Sequence, residues 1–127
     1  MSTPVHLDTN YLIGYTGEVS GEVVSCVDGW ILEDRKFCCS AMAWAEFLCG
    51  PVLPEEIAAM ETLLHAVLPV THELAAEGAS LFRDTGRRSR SLADCIIAAT
   101  AIGAKAPLAT NNLADFEPFV PHGLILL

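Results

Sequence analysis

Four widely separated carboxylates lie where an apolar run of the sequence meets a helix or a turn: Asp8, Glu46, Asp94 and Asp115. Like charges that come together raise one another's pKa unless a cation neutralises them. Clusters of carboxylate oxygens suit hard divalent ions such as Mg²⁺ and Mn²⁺. The four residues therefore predict a metal site. An ion held there would lower the pKa of a bound water and make it a nucleophile.

Each of these carboxylates also has a purely structural interpretation. Asp8 could cap the helix that follows it, but Thr9 is available as that cap, so the ligand interpretation is favoured. Glu46 could lie on the exposed face of an amphipathic helix, which the pattern alone favours. Asp94 completes a capping box with Ser91, and the fourth carboxylate could be a turn residue. The joint occurrence of the four residues, rather than any one of them, predicts the site.

Small polar residues flank the first and the last of the carboxylates. Their hydroxyl and amide groups are natural donors that can orient a carboxylate or hold a metal-bound water. These supporting residues are Thr9, Asn10, Thr110 and Asn112. They strengthen the prediction of a metal site at these two positions.

The histidines and cysteines do not point to a second metal site. His6 would face the same side of its strand as the residue two positions later, and a buried, hydrogen-bonded histidine is favoured over a catalytic one. The other histidines share no spacing with each other or with the cysteines. The five cysteines form an odd set without zinc-type spacing, as expected for core thiols in a reducing compartment.

Predicted strands alternate with predicted helices along the whole chain. The strands are expected at 5–8, 36–40, 67–70, 107–110 and 123–127. Helices are expected from near residue 10, at 18–33, after a Ser40 cap as far as Gly50, at 54–66, from 71 or 72 to 84, and at 91–103. This alternation predicts an α/β fold with a parallel sheet covered on both faces. Ligands of such sheets bind outside the carboxyl ends of the strands, where all four carboxylates would converge.

The length and composition are those of one domain, residues 1–127, with no internal repeat or linker. The chain is 52% hydrophobic, yet no apolar run approaches the roughly 18 to 20 residues of a membrane span. With no basic lead-in before an apolar stretch, we expect a cytoplasmic protein that keeps an apolar face for a partner. Trp30, Trp44 and Phe47 could belong to such a face or to an ordinary core.

The net charge of −9 argues against a protein that grips nucleic acid by bulk electrostatics. A local basic segment is nevertheless present, because Arg83, Arg87, Arg88 and Arg90 fall within eight residues. These arginines could be a solvated helix end or could contact phosphate. The interpretations are evenly balanced.

In four segments the sequence resembles the PIN-domain ribonucleases, particularly the VapC-like toxins of bacterial toxin–antitoxin pairs. The segments follow one another in the order and spacing of that family over nearly the whole chain. They are residues 7–10 (Leu-Asp-Thr-Asn), Ser40 with Glu46, residues 92–101 and residues 110–116. Two departures are the acidic, lysine-poor composition and His6, which occupies a strand position that is usually aliphatic in the family.

The resemblance implies a three-layer α/β/α fold with a roughly five-stranded parallel sheet and an acidic pocket for one or two Mg²⁺ or Mn²⁺ ions. It also implies endonucleolytic cleavage of RNA, a homodimer, and a cognate antitoxin whose tail covers the pocket. Carried over by position, the catalytic metal ligands would be Asp8, Glu46, Asp94 and Asp115. Separately from the resemblance, we expect Arg88 and Arg90 to contact the RNA, and either a second ion or one of these arginines to stabilise the charge that develops on phosphorus.

Two other functions remain open from the sequence. The acidic pocket could be vestigial, in which case the chain would be a catalytically weak protein-binding module. A phosphatase-like hydrolase could use a similar metal site, although no Asp-x-Asp motif follows the first strand. Metal-dependent cleavage of RNA separates the nuclease from the binding module.

Overall fold

Strands and helices alternate in the computed structural model, which describes residues 3–17, 21–86 and 91–127, apart from the side chain of Ser91. The strands are β1 (Val5–Leu7), β2 (Phe37–Ser40), β3 (Leu64–Leu68), β4 (Pro107–Ala109) and β5 (Ile125–Leu126). The helices are α1 (Thr9–Thr16), α2 (Gly21–Leu32), α3 (Ala41–Cys49), α4 (Pro54–Leu63), α5 (His72–Asp84), α6 (Ser91–Gly103) and α7 (Leu113–Phe116). A 3₁₀ helix, Glu117–His122, precedes β5.

The five strands form one parallel sheet in the order β3-β2-β1-β4-β5, and helices cover both of its faces. This confirms the predicted three-layer α/β/α fold. All residues of β1 and β2 are buried, as expected for strands covered on both faces. The chain builds β2 and β3 on one side of β1 and then returns to place β4 on the other side. The switch in strand order therefore lies between β1 and β4, where open parallel sheets bind their ligands.

Side-chain caps fix where two of the predicted helices begin. The Ser40 hydroxyl accepts a hydrogen bond from the Met42 backbone N–H at 3.0 Å, and α3 follows directly. The Thr71 hydroxyl accepts from the Leu74 N–H at 3.1 Å at the start of α5. Because Ser40 is also the last residue of β2, α3 starts at the carboxyl edge of the sheet.

The third strand begins earlier than predicted. It spans Leu64–Leu68 rather than 67–70, and α4 ends at Leu63 rather than near residue 66. Pairing with β2 explains the difference, because Leu64 lies opposite Phe37 and its successors continue that ladder. These backbone hydrogen bonds outweigh a local preference for helix. Pro69 follows the strand, which is an edge strand as Pro69 predicts.

The segment after β4 was not predicted to be helical. It contains α7 and the 3₁₀ helix, which together span residues 113–122. Phe116 and Phe119 pack edge to face with ring centroids 5.9 Å apart and are buried, so they anchor these short turns to the core.

Aromatic residues that could have formed a partner surface mostly pack on the core. Phe47 is buried, and Trp44 packs against its ring at a centroid distance of 5.2 Å. Trp30 stacks on Tyr11 at 6.0 Å. The core interpretation therefore accounts for these three residues.

None of the described helices is long and apolar enough to cross a membrane.

Helix α6, which carries Asp94, packs closely against α5. Gly78 makes this approach possible, because a Cβ atom at that position would lie 2.9 Å from Cγ1 of Ile96. A contact this short would force the Ile96 side chain or one of the helices to shift. The glycine therefore helps to hold α6 in its place beside the sheet.

His6, at the centre of β1, is buried at 3% exposure, and burial lowers the pKa of its imidazole from 6.5 to about 4. Its ring has no hydrogen-bond partner among the described side chains, so the predicted hydrogen bond is absent there. The fold thus favours the neutral ring. A lowered pKa in the folded state contributes stability that is present above pH 6.5 and is lost as the pH falls through about 4.

As the pH falls from 7.5 to 4, we expect the buried His6 imidazole alone to lower the free energy of unfolding by about 3 kcal/mol, at about 1.4 kcal/mol per pKa unit. Urea unfolding of the wild type and of a His6→Leu variant between pH 7.5 and 4 measures it as the change in their stability difference. His72→Gln, at an exposed histidine, is the control. A pH-independent difference between His6→Leu and the wild type would contradict the expectation.

Candidate active site

Asp8 lies at the carboxyl end of the central strand and is 4% exposed. Its backbone N–H donates to the Ala109 carbonyl at 3.0 Å, which ties the exit of β1 to the end of β4. Asp8 is also the N-cap of α1, and its Oδ1 accepts a hydrogen bond from the Thr9 N–H at 2.8 Å. The cap is therefore Asp8, and the alternative that Thr9 caps this helix is wrong. Capping occupies one lone pair of one oxygen and leaves others for a cation.

Thr110, which follows β4, holds the second oxygen of the Asp8 carboxylate. Its hydroxyl donates to Asp8 Oδ2 at 2.7 Å and accepts from the Asn112 backbone N–H at 3.0 Å. The Asn10 side-chain amide lies 3.4 Å from the same hydroxyl. These contacts fix the direction of the Thr110 hydroxyl proton and so the orientation of the carboxylate.

Thr9 connects this arrangement to α3. Its hydroxyl donates to Oε1 of Glu46 at 2.7 Å, across a sequence separation of 37 residues. The Glu46 side chain is exposed, as the amphipathic interpretation of its helix predicts, yet it is directed to the end of β1. The start of α3 at Ser40 makes this possible, because it brings the helix out beside Asp8.

A cavity of about 220 Å³ opens at this edge of the sheet. It brings together three of the four predicted carboxylates and three of the supporting polar residues. Ile13 also lines the cavity and was not predicted. Its position four residues after Thr9 in α1 places the two side chains on one helix face, which is the signal that could have found it. The complete lining is Asp8, Thr9, Asn10, Ile13, Glu46, Asp94 and Asn112.

Asp115 is the carboxylate that does not line the cavity. It belongs to α7, where its backbone N–H donates to the Asn112 carbonyl at 3.0 Å. Its charge nevertheless contributes to the electrostatic environment of Asp8. Asp115 therefore lies close to the cavity but outside its wall.

The pKa of the Asp8 carboxyl is raised above 3.8, mainly because burial disfavours its charged form. Hydrogen bonds from Thr110 and Thr9 act in the opposite direction, whereas the charges of Glu46 and Asp115 raise the pKa further. A bound cation would favour the charged form of Asp8 and so counteract the effects of burial and of neighbouring negative charge on its pKa. The geometry thus creates an unfavourable local charge that a divalent ion would offset.

The oxygen-only donor set and the buried anion fit Mg²⁺ or Mn²⁺. Across residues 3–17, 21–86 and 91–127, no three side chains of His, Cys, Asp or Glu already lie close enough together to hold an ion. Mg²⁺ commonly keeps several waters and uses only one or two carboxylates. Asp8 with Glu46 or Asp94 would meet that requirement.

Two other predictions fall on parts of the chain outside the described residues. Arg88 and Arg90, the predicted RNA contacts, lie in the segment 87–90. The capping box requires the side chain of Ser91, which is likewise outside them. Asp94 itself lies in the first turn of α6, where a negative charge complements the helix dipole.

Comparisons with known proteins match both the sequence and the fold. The PIN domain family model matches residues 5–117. The structure of VapBC2 from Rickettsia felis, bound to a DNA fragment from its promoter, is similar with a TM-score of 0.72 and 17% identity, covering 97% of this chain and 96% of that one. The structure of FitAcB from Neisseria gonorrhoeae is similar with a TM-score of 0.69 and 24% identity, covering 97% of this chain and 96% of that one. A toxin–antitoxin complex from Klebsiella pneumoniae is similar with a TM-score of 0.69 and 23% identity, covering 88% of this chain and 89% of that one. No curated protein matches the chain.

Proposed function

Since the chain belongs to the PIN domain family, we propose that it is a metal-dependent endoribonuclease. We also propose that residues 1–127 form one domain and that the protein acts as the toxin of a toxin–antitoxin pair. The observation that supports this function most is the buried Asp8 carboxylate, which shares one cavity with Glu46 and Asp94. A buried carboxylate with a raised pKa beside two others is expected where a cation binds or where acid–base chemistry occurs.

In the proposed site, Asp8 together with Glu46 or Asp94 would hold Mg²⁺ or Mn²⁺, and Asp115 adds negative charge beside them. When bound, the ion supplies a nucleophilic water and neutralises charge on the phosphate. Thr110 directs Asp8 Oδ2 through its 2.7 Å hydrogen bond, and Thr9 directs Glu46 in the same way. The two hydroxyls act as positioning groups, because each restricts the orientation of one carboxylate of the proposed site.

Asn10 and Asn112 support the site from its rim. The side-chain Oδ1 of Asn10 accepts a hydrogen bond from the Asn111 backbone N–H at 3.2 Å, and this bond fixes α1 to the segment that follows β4. Asn112 lines the cavity and can contact a water or a phosphate oxygen there. Arg88 and Arg90 are proposed to contact the RNA backbone, since the net charge of −9 provides no general attraction for RNA.

The proposed partners are a cognate antitoxin and a second copy of this chain. The antitoxin is supported by the Klebsiella pneumoniae neighbour, which is described as a toxin–antitoxin complex. Exposed apolar side chains, among them Leu48 at 41% and Leu53 at 54%, offer surface for such contacts. A cytoplasmic location is proposed from the five free cysteines, which suit a reducing compartment.

Cleavage of RNA by the purified protein tests the function. We expect structured and unstructured RNA substrates to be cut internally in the presence of Mg²⁺ or Mn²⁺, and we expect EDTA to stop the reaction until excess metal restores it. End-labelled RNA on denaturing gels distinguishes internal cuts from trimming. Equal digestion with and without EDTA would reject metal dependence. A folded protein that cuts no RNA but binds its antitoxin would favour the binding-module alternative.

A further inference from the structure

A second and larger cavity, of about 840 Å³, opens at the other end of the sheet, where β2 and β3 begin. Its volume is within the range of small-molecule sites, roughly 300 to 1,000 Å³. The wall is partly apolar, with Ile31, Leu63 and Leu64, and partly cationic, with Arg35 and Lys36. The proposed nuclease reaction at the carboxyl ends of the strands makes no use of this cavity.

Neither of these cations has an ion-pair partner among the described residues, in a chain with few cations. Arg35 and Lys36 are two of its seven lysine and arginine residues, against a net charge of −9. Within the part of the chain that the structure describes, neither side chain forms an ion pair. The Nε atom of Arg35 is buried and has no hydrogen-bond partner there. Buried polar groups are nearly always hydrogen-bonded, so this Nε atom marks a guanidinium whose hydrogen bonds the described residues leave incomplete.

The helix ends at this edge give the cations one structural explanation. Helices α2 and α4 end beside the cavity, and the partial negative charge of helix C-termini attracts cations. However, neither cation's side chain donates a hydrogen bond to a described carbonyl. Asp34 also lines the cavity, yet it does not pair with either cation. As far as the described residues go, no side chain or carbonyl occupies the guanidinium or the ammonium, which suits both groups to an external oxyanion.

We propose that this cavity binds a small oxyanionic ligand of nucleotide size. Its anionic group would lie on Arg35 and Lys36, and its planar or apolar part would pack against Ile31 and Leu63. The planar guanidinium suits the paired oxygens of phosphate or carboxylate, and the lysine adds a compact positive charge. The site is separate from the carboxylate cavity, so it does not depend on the proposed nuclease activity.

Calorimetric titration with AMP in the presence of EDTA tests the site, because EDTA prevents metal-bridged binding at the carboxylates. We expect saturable binding to the wild type, with weaker binding of adenosine and of inorganic phosphate. Lys36→Gln should weaken AMP binding by about fivefold or more, since it removes a charge-assisted contact. Lys105→Gln makes the same change at a lysine that does not line the cavity, and should leave binding unchanged. Arg35→Lys keeps the charge but removes the planar fork, and should also weaken binding.

Three results would overturn the proposal. They are the absence of saturable binding by AMP at millimolar concentrations, equal binding of AMP and adenosine, and equal effects of Lys36→Gln and Lys105→Gln. Lys36 is exposed, so its replacement tests the site even if the Arg35 variant fails to fold. Circular dichroism of each variant identifies that failure. If the cations only offset the helix ends, Arg35→Lys and Lys36→Gln would alter thermal stability while AMP bound to none of the proteins.

Discussion

Asp8→Asn is expected to lower the rate of metal-dependent RNA cleavage by at least about 100-fold while the protein remains folded. Changes to groups that only support a metal ligand typically cost about 10- to 100-fold, so loss of a ligand's charge should cost at least the upper value. The amide is nearly the same size as the carboxylate and can still accept the 2.8 Å hydrogen bond from the Thr9 N–H. It cannot supply an anionic oxygen to the ion. Single-turnover cleavage of an end-labelled RNA at saturating Mn²⁺ measures the effect.

A matched control separates the role of Asp8 from a change in net charge. Asp28→Asn removes the same charge at an exposed residue of α2 that accepts a hydrogen bond from the Tyr15 hydroxyl and does not line the acidic cavity. This variant should cleave RNA at nearly the wild-type rate. Full activity of Asp8→Asn, or equal losses in both variants, would contradict the assignment of Asp8 as a metal ligand.

The sequence predicted best those parts of the site that depend on the sheet. Asp8 and Thr110 each follow a buried strand directly, so their convergence requires only that the two strands be neighbours and parallel. The structure pairs β1 with β4, and a 2.7 Å hydrogen bond joins the two residues. Ser40 was similarly predictable, because a serine before an apolar helical pattern is a common N-cap.

Contacts between helices were harder to predict, because the sequence does not give their relative orientation. The hydrogen bond from Thr9 to Glu46 joins α1 to α3 over 37 residues, and no local pattern indicates it. Asp115 shows the same difficulty. Its position outside the cavity wall is set by α7, a helix of four residues that lacks a full period of apolar residues to reveal it.

Tertiary contacts also decided the element boundary that the sequence placed wrongly. Residues 64–66 continue the helical pattern of α4, yet Leu64 pairs with Phe37 and Ala66 pairs with Cys38 in the sheet. Local propensity is a weak guide where such pairing competes with it. The error did not affect the candidate site, which lies at β1 and β4, because β3 is an edge strand separated from β1 by β2.

Mn²⁺ is expected to stabilise the wild-type protein strongly and the Asp8→Asn variant little. In the absence of metal, the raised pKa of Asp8 means that its ionised form lowers stability. The sign follows from linkage: above the folded-state pKa the carboxylate must stay charged in a buried site, and the stability it removes is regained as the pH falls through that value. In EDTA at neutral pH, Asp8→Asn removes this buried charge but also loses the hydrogen bond from Thr110, which the side-chain amide nitrogen cannot accept. The two effects on the free energy of unfolding should therefore partly or fully cancel.

Added metal should reverse the balance between the two proteins. A ligand that binds only the folded state at 100 times its Kd contributes about 2.7 kcal/mol, so the thermal midpoint of the wild type should rise by several degrees. The rise should be small in Asp8→Asn and normal in Asp28→Asn. Differential scanning fluorimetry in EDTA and over a Mn²⁺ titration measures both. Equal metal-induced shifts in the wild type and Asp8→Asn would place the ion elsewhere, whereas the expected pattern would mean that the buried carboxylate costs folding stability and that metal binding restores it.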